Sequence, residues 1–135
     1  MESCLKKLFF LFVALLSFSH ADVTNKFPSA DLLGKQLPIV DVRTPPEWAE
    51  TGLLKGAIPI MFFDERGGYN VDKFIQELNE KVDTSKEFAI ICRTGSRTKI
   101  ISNFLAKEFG YKVINLEGGM MFAIGQKLPI LPYKK

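Results

Sequence analysis

Phe88-Ala89-Ile90-Ile91-Cys92-Arg93-Thr94-Gly95-Ser96-Arg97 passes from an unbroken apolar run into a short polar turn. Four apolar residues without alternation suit a strand buried on both faces. After the turn, Ile100, Ile101, Phe104, Leu105 and Phe109 recur at helical spacing, and Gly110 supplies the left-handed residue that ends many helices. Cys92 thus stands where a buried strand gives way to a turn and then a helix, and is expected to be exposed there.

The same alternation of patterns extends outward. Residues 38–42 form a second buried-strand run, with weaker ones at 113–116 and 57–60. Phe74, Ile75, Leu78 and Val82 recur at helical spacing after Asp72, which reads as the helix cap. Short strands alternating with helices predict an α/β fold: a doubly wound parallel sheet of about five strands with helices on both faces. Sites in such folds gather at the carboxyl ends of the strands, here after Val42, Ile60 and Ile91.

The first residues are unlike the rest. Lys6 and Lys7 precede an apolar run, Leu8 to Leu16, followed by Ser17-Phe18-Ser19-His20-Ala21. A basic start, a short apolar stretch and small residues at Ser19 and Ala21 predict a secretory signal cleaved after Ala21. Even taken to Phe18, the run is shorter than the roughly 20 residues of a spanning helix. An uncleaved anchor is the alternative. A lipoprotein signal would place a cysteine just after the run, whereas Cys4 precedes it. Residues 22–135 are then read as one domain, large enough for a real core. The expected location is periplasmic or secreted, with no membrane association after cleavage.

Composition narrows the chemistry. The formal net charge is +3, and about +2 without Glu2, Lys6 and Lys7. No run of five like charges occurs, so neither nucleic acid nor an anionic membrane surface is an expected partner. The chain has one histidine and two cysteines, and His20 and Cys4 leave with the signal. That removes zinc sites of the Cys/His kind, Cys-His dyads and internal disulfides, and no metal or cofactor is expected.

Cys92 is then the one thiol of the mature chain. A loop curling into a helix start aims several backbone N–H groups at one point, where they bind anions. Gly95 is free to take positive φ in that loop, while Arg93 and Arg97 add charge. Such a cradle suits the thiolate, which is the nucleophilic form. The plainer reading is a small buried hydrophobe at a strand end, but the Arg-Thr-Gly-Ser-Arg sequence that follows would be wasted on a packing residue. Arg93 and Arg97 have a plain reading too, as solvated surface charges.

These residues resemble the rhodanese family. Ile39-Val40-Asp41-Val42-Arg43-Thr44-Pro45-Pro46-Glu47-Trp48, with Gly52 and Gly56-Ala57-Ile58-Pro59-Ile60, looks like its first signature. Phe88 to Arg97 is similar to its active-site strand and six-residue loop. Gly110-Tyr111, residues 113–116 and Glu117-Gly118-Gly119 resemble its closing signature, so the likeness covers nearly all of residues 29–131. It is strongest to small, exported, single-domain members of the thiosulfate sulfurtransferase type. Two positions depart from the pattern. Leu53 stands where many members have histidine, and Phe122-Ala123 where an Ala-Trp pair is usual.

The resemblance implies that Cys92 carries sulfur as a persulfide. It implies that Arg93, Thr94, Gly95, Ser96 and Arg97 cradle the anion or persulfide, with Arg97 steadying the donor's anionic end or the loop itself. Asp41, Arg43 and Glu47 are read as a structural ion-pair cluster bracing the sheet edge. The implied reaction moves a sulfane sulfur from thiosulfate or a similar anionic donor to a thiol or cyanide, and a protein is a further conceivable acceptor. Sulfite leaves as a stable anion, so no general acid is required. Cysteine phosphatases and arsenate reductases use a related cradle with Cys-x5-Arg. Here four residues separate Cys92 from Arg97 and Thr98 takes the later position, a ring better suited to one sulfur atom than to a phosphoryl group. A sulfur carrier that holds persulfide for a partner, with little free turnover, needs the same loop and is the alternative.

Export is directly testable. N-terminal sequencing of the natively made protein should find Asp22 first, in an extracytoplasmic fraction. Full-length chain recovered with membranes would establish the anchor instead.

Overall fold

The computed structural model describes residues 22–135, so the proposed signal, residues 1–21, lies outside the described residues. Five strands form one parallel sheet in the order β1-β6-β5-β2-β4. They are β1 (Val23–Lys26), β2 (Ile39–Asp41), β4 (Ile58–Pro59), β5 (Phe88–Ile91) and β6 (Val113–Leu116). Two short strands, β3 (Leu53–Leu54) and β7 (Ile130–Leu131), pair antiparallel in a separate ribbon. The helices are α1 (Ala30–Gly34), α2 (Pro45–Thr51), α3 (Val71–Lys81), α4 (Ser96–Phe109) and α5 (Gly119–Gly125). The doubly wound parallel α/β sheet expected from the sequence is the one observed.

Its two-sided burial follows from strand periodicity. Successive β5 side chains point to opposite faces. Phe88, Ile90 and Cys92 therefore join Phe74 and Leu78 of α3 and Ile101 and Leu105 of α4 in one apolar cluster. Ala89 and Ile91 join Leu32 of α1 and Met120 and Ala123 of α5 in the other. Every residue of β5 is buried, which is why its sequence carries no polar alternation.

Three local readings change. Asn70, not Asp72, caps α3: its side chain accepts from Lys73 N–H (3.0 Å), and Asp72 lies inside the first turn. The edge strand β1 was not legible, because Thr24, Asn25 and Lys26 are polar and its last two residues are exposed. It joins the sheet only by lying parallel to β6, with Asn25 opposite Asn115 and accepting from its Nδ2 (3.0 Å). Helix α2 also went unpredicted, although Thr44-Pro45-Pro46-Glu47 carries both a capping box and prolines at the first helical positions.

The Asp41–Arg43 pair lies at the end of β2, which is flanked by β4 and β5 and is not a sheet edge. Both residues are buried, Asp41 wholly so. Arg43 Nε and Nη2 donate to Asp41 Oδ1 and Oδ2 (3.0 and 2.9 Å). Its remaining donors reach Thr51 Oγ1 and the Gly52 carbonyl, both at 2.9 Å, so the pair fastens the end of α2 to the sheet. Trp48 Nε1 donates to Asp41 Oδ1 as well (3.1 Å). Removing one partner of such a pair leaves an uncompensated buried charge. Asp41→Ala should therefore cost about 3–5 kcal/mol in urea unfolding. Asp31→Ala, which breaks only an exposed contact with Lys35, should cost below about 0.5 kcal/mol.

Candidate functional site

Because the sheet is parallel, the ends of β2, β4 and β5 lie side by side. Backbone bonds continue the ladder past the strands: Val42 N–H donates to the Ile91 carbonyl (3.0 Å), Ile60 N–H to Asp41 (3.0 Å) and Phe62 N–H to Val42 (3.1 Å). The three places selected from the sequence are thus brought together at one rim.

Beyond Ile91 the chain curls through Cys92–Gly95 into α4. Gly95 adopts φ 99°, a left-handed conformation that turns its N–H back to donate to Cys92 Sγ (3.1 Å). Thr98, one turn into the helix and fully buried, has Oγ1 at 3.2 Å from the Gly95 carbonyl, to which it donates, and at 3.5 Å from Sγ. The N–H groups of Ser96, Arg97 and Thr98 open α4 and have no helical carbonyl behind them.

Cys92 itself is 0% exposed, which corrects the expectation of an exposed thiol. Two features close over it. Its side chain falls on the α3/α4 face of the sheet and packs into that cluster. The start of α5 covers the backbone: Met120 and Met121 N–H donate to the Cys92 and Arg93 carbonyls (2.9 and 3.0 Å). Gly119 allows that approach, at φ 57°, since a Cβ there would meet both carbonyl oxygens at 2.5 Å.

The arginines divide. Arg97 Nη1 and Nη2 donate to Glu47 Oε1 and Oε2, each at 2.7 Å, a bidentate pair joining α4 to α2. Glu47 Oε1 also accepts from Thr44 N–H and Oγ1 (3.4 and 3.1 Å). The Glu47 carboxylate therefore pairs with Arg97 and not with Arg43, which touches only the Glu47 carbonyl (3.4 Å). The expected cluster of Asp41, Arg43 and Glu47 separates into two pairs. Arg93 is exposed, as are Thr94 and Ser96, and Arg93 makes no ion pair among the described residues. It lines a cavity of about 240 Å³ together with Arg43, Glu47, Glu50 and Thr51, walled by Met120, Met121 and Ile124.

In the sequence Thr98 stands only as the residue in place of a later arginine and Gly119 only within the closing signature, and Thr51 carries no signal. A hydroxyl one turn into the helix was the only signal of a role for Thr98. Of the two departures, Leu53 pairs with Leu131 in the small ribbon, while Phe122 packs on Phe27 (ring centroids 4.7 Å apart) and Ala123 is buried.

The family profile for the rhodanese-like domain matches residues 29–121. The chain belongs to the rhodanese-like domain family. Within that family it is 35% identical over 95 residues to "Putative sulfurtransferase YtwF" of Bacillus subtilis (strain 168), covering 70% of this chain and 81% of that protein. It is 37% identical over 84 residues to "Uncharacterized protein RP600" of Rickettsia prowazekii (strain Madrid E), covering 60% and 66%. Among solved rhodanese-like folds, the polysulfide-sulfur transferase homodimer of Wolinella succinogenes superposes with a TM-score of 0.60 at 25% identity, covering 93% of this chain and 90% of that one. A rhodanese-like domain protein of Staphylococcus aureus gives 0.55 at 25% identity, covering 82% and 98%.

In this rhodanese-like domain the Glu47–Arg97 pair also sets an acid limit. The Arg97 hydrogen bond, foremost, holds the Glu47 carboxyl at about 2 against an ordinary 4.5. The folded value is the lower one, so the pair's contribution is complete above pH 4.5 and is lost as pH falls toward 2. Glu47→Gln should remove that component of acid sensitivity and cost about 1 kcal/mol near neutral pH. Urea midpoints measured from pH 7 to pH 2 on both proteins check this.

Proposed function

We propose that this protein is a sulfurtransferase working through a persulfide on Cys92. The observation that carries the reading is the Gly95 N–H aimed at Cys92 Sγ (3.1 Å) within a Cys-x4-Arg turn at the strand rim. An amide donor fixed by the fold stabilises negative charge on sulfur without reorganising during reaction. The name of the Bacillus subtilis relative and that of the Wolinella succinogenes transferase support the reaction class.

With thiosulfate as donor, the Cys92 thiolate attacks the outer sulfur. A new S–S bond forms at Cys92, the donor's S–S bond breaks, and its electron pair leaves on sulfite. The enzyme then holds a persulfide anion. Cyanide attacks the outer sulfur of that persulfide and departs as thiocyanate, returning the thiolate. A thiol acceptor would take the sulfur in the same way. Charge balances in each half, no proton must be supplied, and the kinetics are ping-pong. Arg93, exposed and lining the 240 Å³ cavity, draws in the anionic donor, and added salt weakens that attraction. A polysulfide would serve as donor by the same chemistry. We place this activity outside the cytoplasm, on the strength of the N-terminal signal.

The complete burial of Cys92 favours a second reading, a carrier whose persulfide is shielded from bulk thiols until a partner opens the loop. The two are separable. Incubation with thiosulfate should add the mass of one sulfur atom at Cys92 with release of one sulfite, and cyanide or a small thiol should restore the starting mass. Cys92→Ser should abolish both, since a hydroxyl without an adjacent base is too weak a nucleophile. Sulfur that loads but leaves only to a specific protein identifies the carrier. Cys92-dependent phosphate-ester hydrolysis without any sulfur adduct would end the sulfurtransferase reading.

A further inference from the structure

We propose that Glu47 is a built-in competitor of the substrate, occupying on Arg97 the seat that an anionic sulfur donor must take. This rests on reading the Cys92 loop as a site for anionic donors, and it adds a determinant of donor affinity and selectivity. Three arginines surround the rim. Arg43 is buried and fully engaged by Asp41, Thr51 and Gly52. Arg93 is exposed and makes no ion pair among the described residues. Arg97 faces Glu47 through two parallel bonds of 2.7 Å, the geometry that a guanidinium offers equally to a carboxylate or to two oxygens of a sulfonate.

The pair is built to exchange. Its side chains are 26% and 21% exposed, so parting them does not strand a charge in the core, as parting Asp41 from Arg43 would. Glu47 also has partners to keep when Arg97 leaves, because Thr44 N–H and Oγ1 already donate to its Oε1. Glu47 borders the same cavity as Arg93, so a donor entering there meets Arg93 and the carboxylate that holds Arg97. A dianion able to engage both arginines displaces the carboxylate. A monoanion or neutral molecule is left with Arg93 alone. Glu47 thus acts through Arg97, as a positioning residue that raises the threshold for anion entry.

The test uses alkylation of Cys92, which requires no sulfur chemistry. Iodoacetate and iodoacetamide differ in charge and little in size, so the ratio of their rates reads the anion seat and cancels the effect of loop opening. In Glu47→Gln the amide oxygen can still accept from Thr44 while the charge is gone. The iodoacetate to iodoacetamide ratio should rise about fivefold, the upper range for a partly exposed pair. The KM for thiosulfate should fall by a similar factor with kcat little changed. Glu47→Asp, which keeps the charge but shortens its reach, should move the ratio the same way by less, and is the variant to read should Glu47→Gln fail to fold. In the wild type, sulfate should slow iodoacetate more than chloride does at equal ionic strength, without this difference for iodoacetamide. A ratio unchanged in the folded variants, or no sulfate effect beyond that of chloride, overturns the proposal. A shifted ratio with no persulfide from any donor would leave the anion seat standing and remove the sulfurtransferase reading. A persulfide with an unmoved ratio would do the reverse.

Discussion

The arrangement at the rim depends on one buried ion pair. Asp41 and Arg43 lie at the end of an interior strand, where an isolated charge of either sign would be expensive. The cost is offset because nearly every polar atom has a partner. Asp41 accepts from the arginine, from the Arg43 N–H and from Trp48 Nε1, while Arg43 also reaches Thr51 and Gly52. A network satisfied to that degree has one geometry. It therefore sets where α2 leaves the sheet, and with it the position of Glu47 in that helix's first turn.

From Glu47 the constraint passes to the loop. The bidentate contact with Arg97 ties the start of α4 to α2, and α4 carries Thr98 and follows directly on Gly95. On the other side, α5 clasps the carbonyls of Cys92 and Arg93 through its first amides. The loop is thus held at both flanks by hydrogen bonds and ion pairs, not by apolar packing alone. Such flanks differ from a packed core, because partly exposed polar contacts open more readily than buried apolar ones.

The enclosure also explains why a cysteine at the strand rim can look like a core residue. Strand alternation directs its side chain into the α3/α4 cluster. The left-handed turn at Gly95 then brings an N–H donor over the same sulfur. Both the plain reading and the functional reading of Cys92 describe part of its surroundings, and the amide distinguishes it from an ordinary buried thiol.

Much of this was legible in one dimension. Unbroken apolar runs determine a two-sided parallel sheet, since only strands covered on both faces tolerate them. The Cys-x4-Arg turn between such a strand and an amphipathic helix locates the candidate site at the rim, because parallel topology gathers strand ends there. Other features belonged to the tertiary structure. The polar strand β1 has no apolar pattern of its own and is a strand only because β6 offers it a partner. The choice of Glu47 for Arg97, fifty residues apart along the chain, and the complete burial of Cys92 arise from contacts between elements. Periodicity reports which face of an element a residue occupies, but not which residue on another element it will meet.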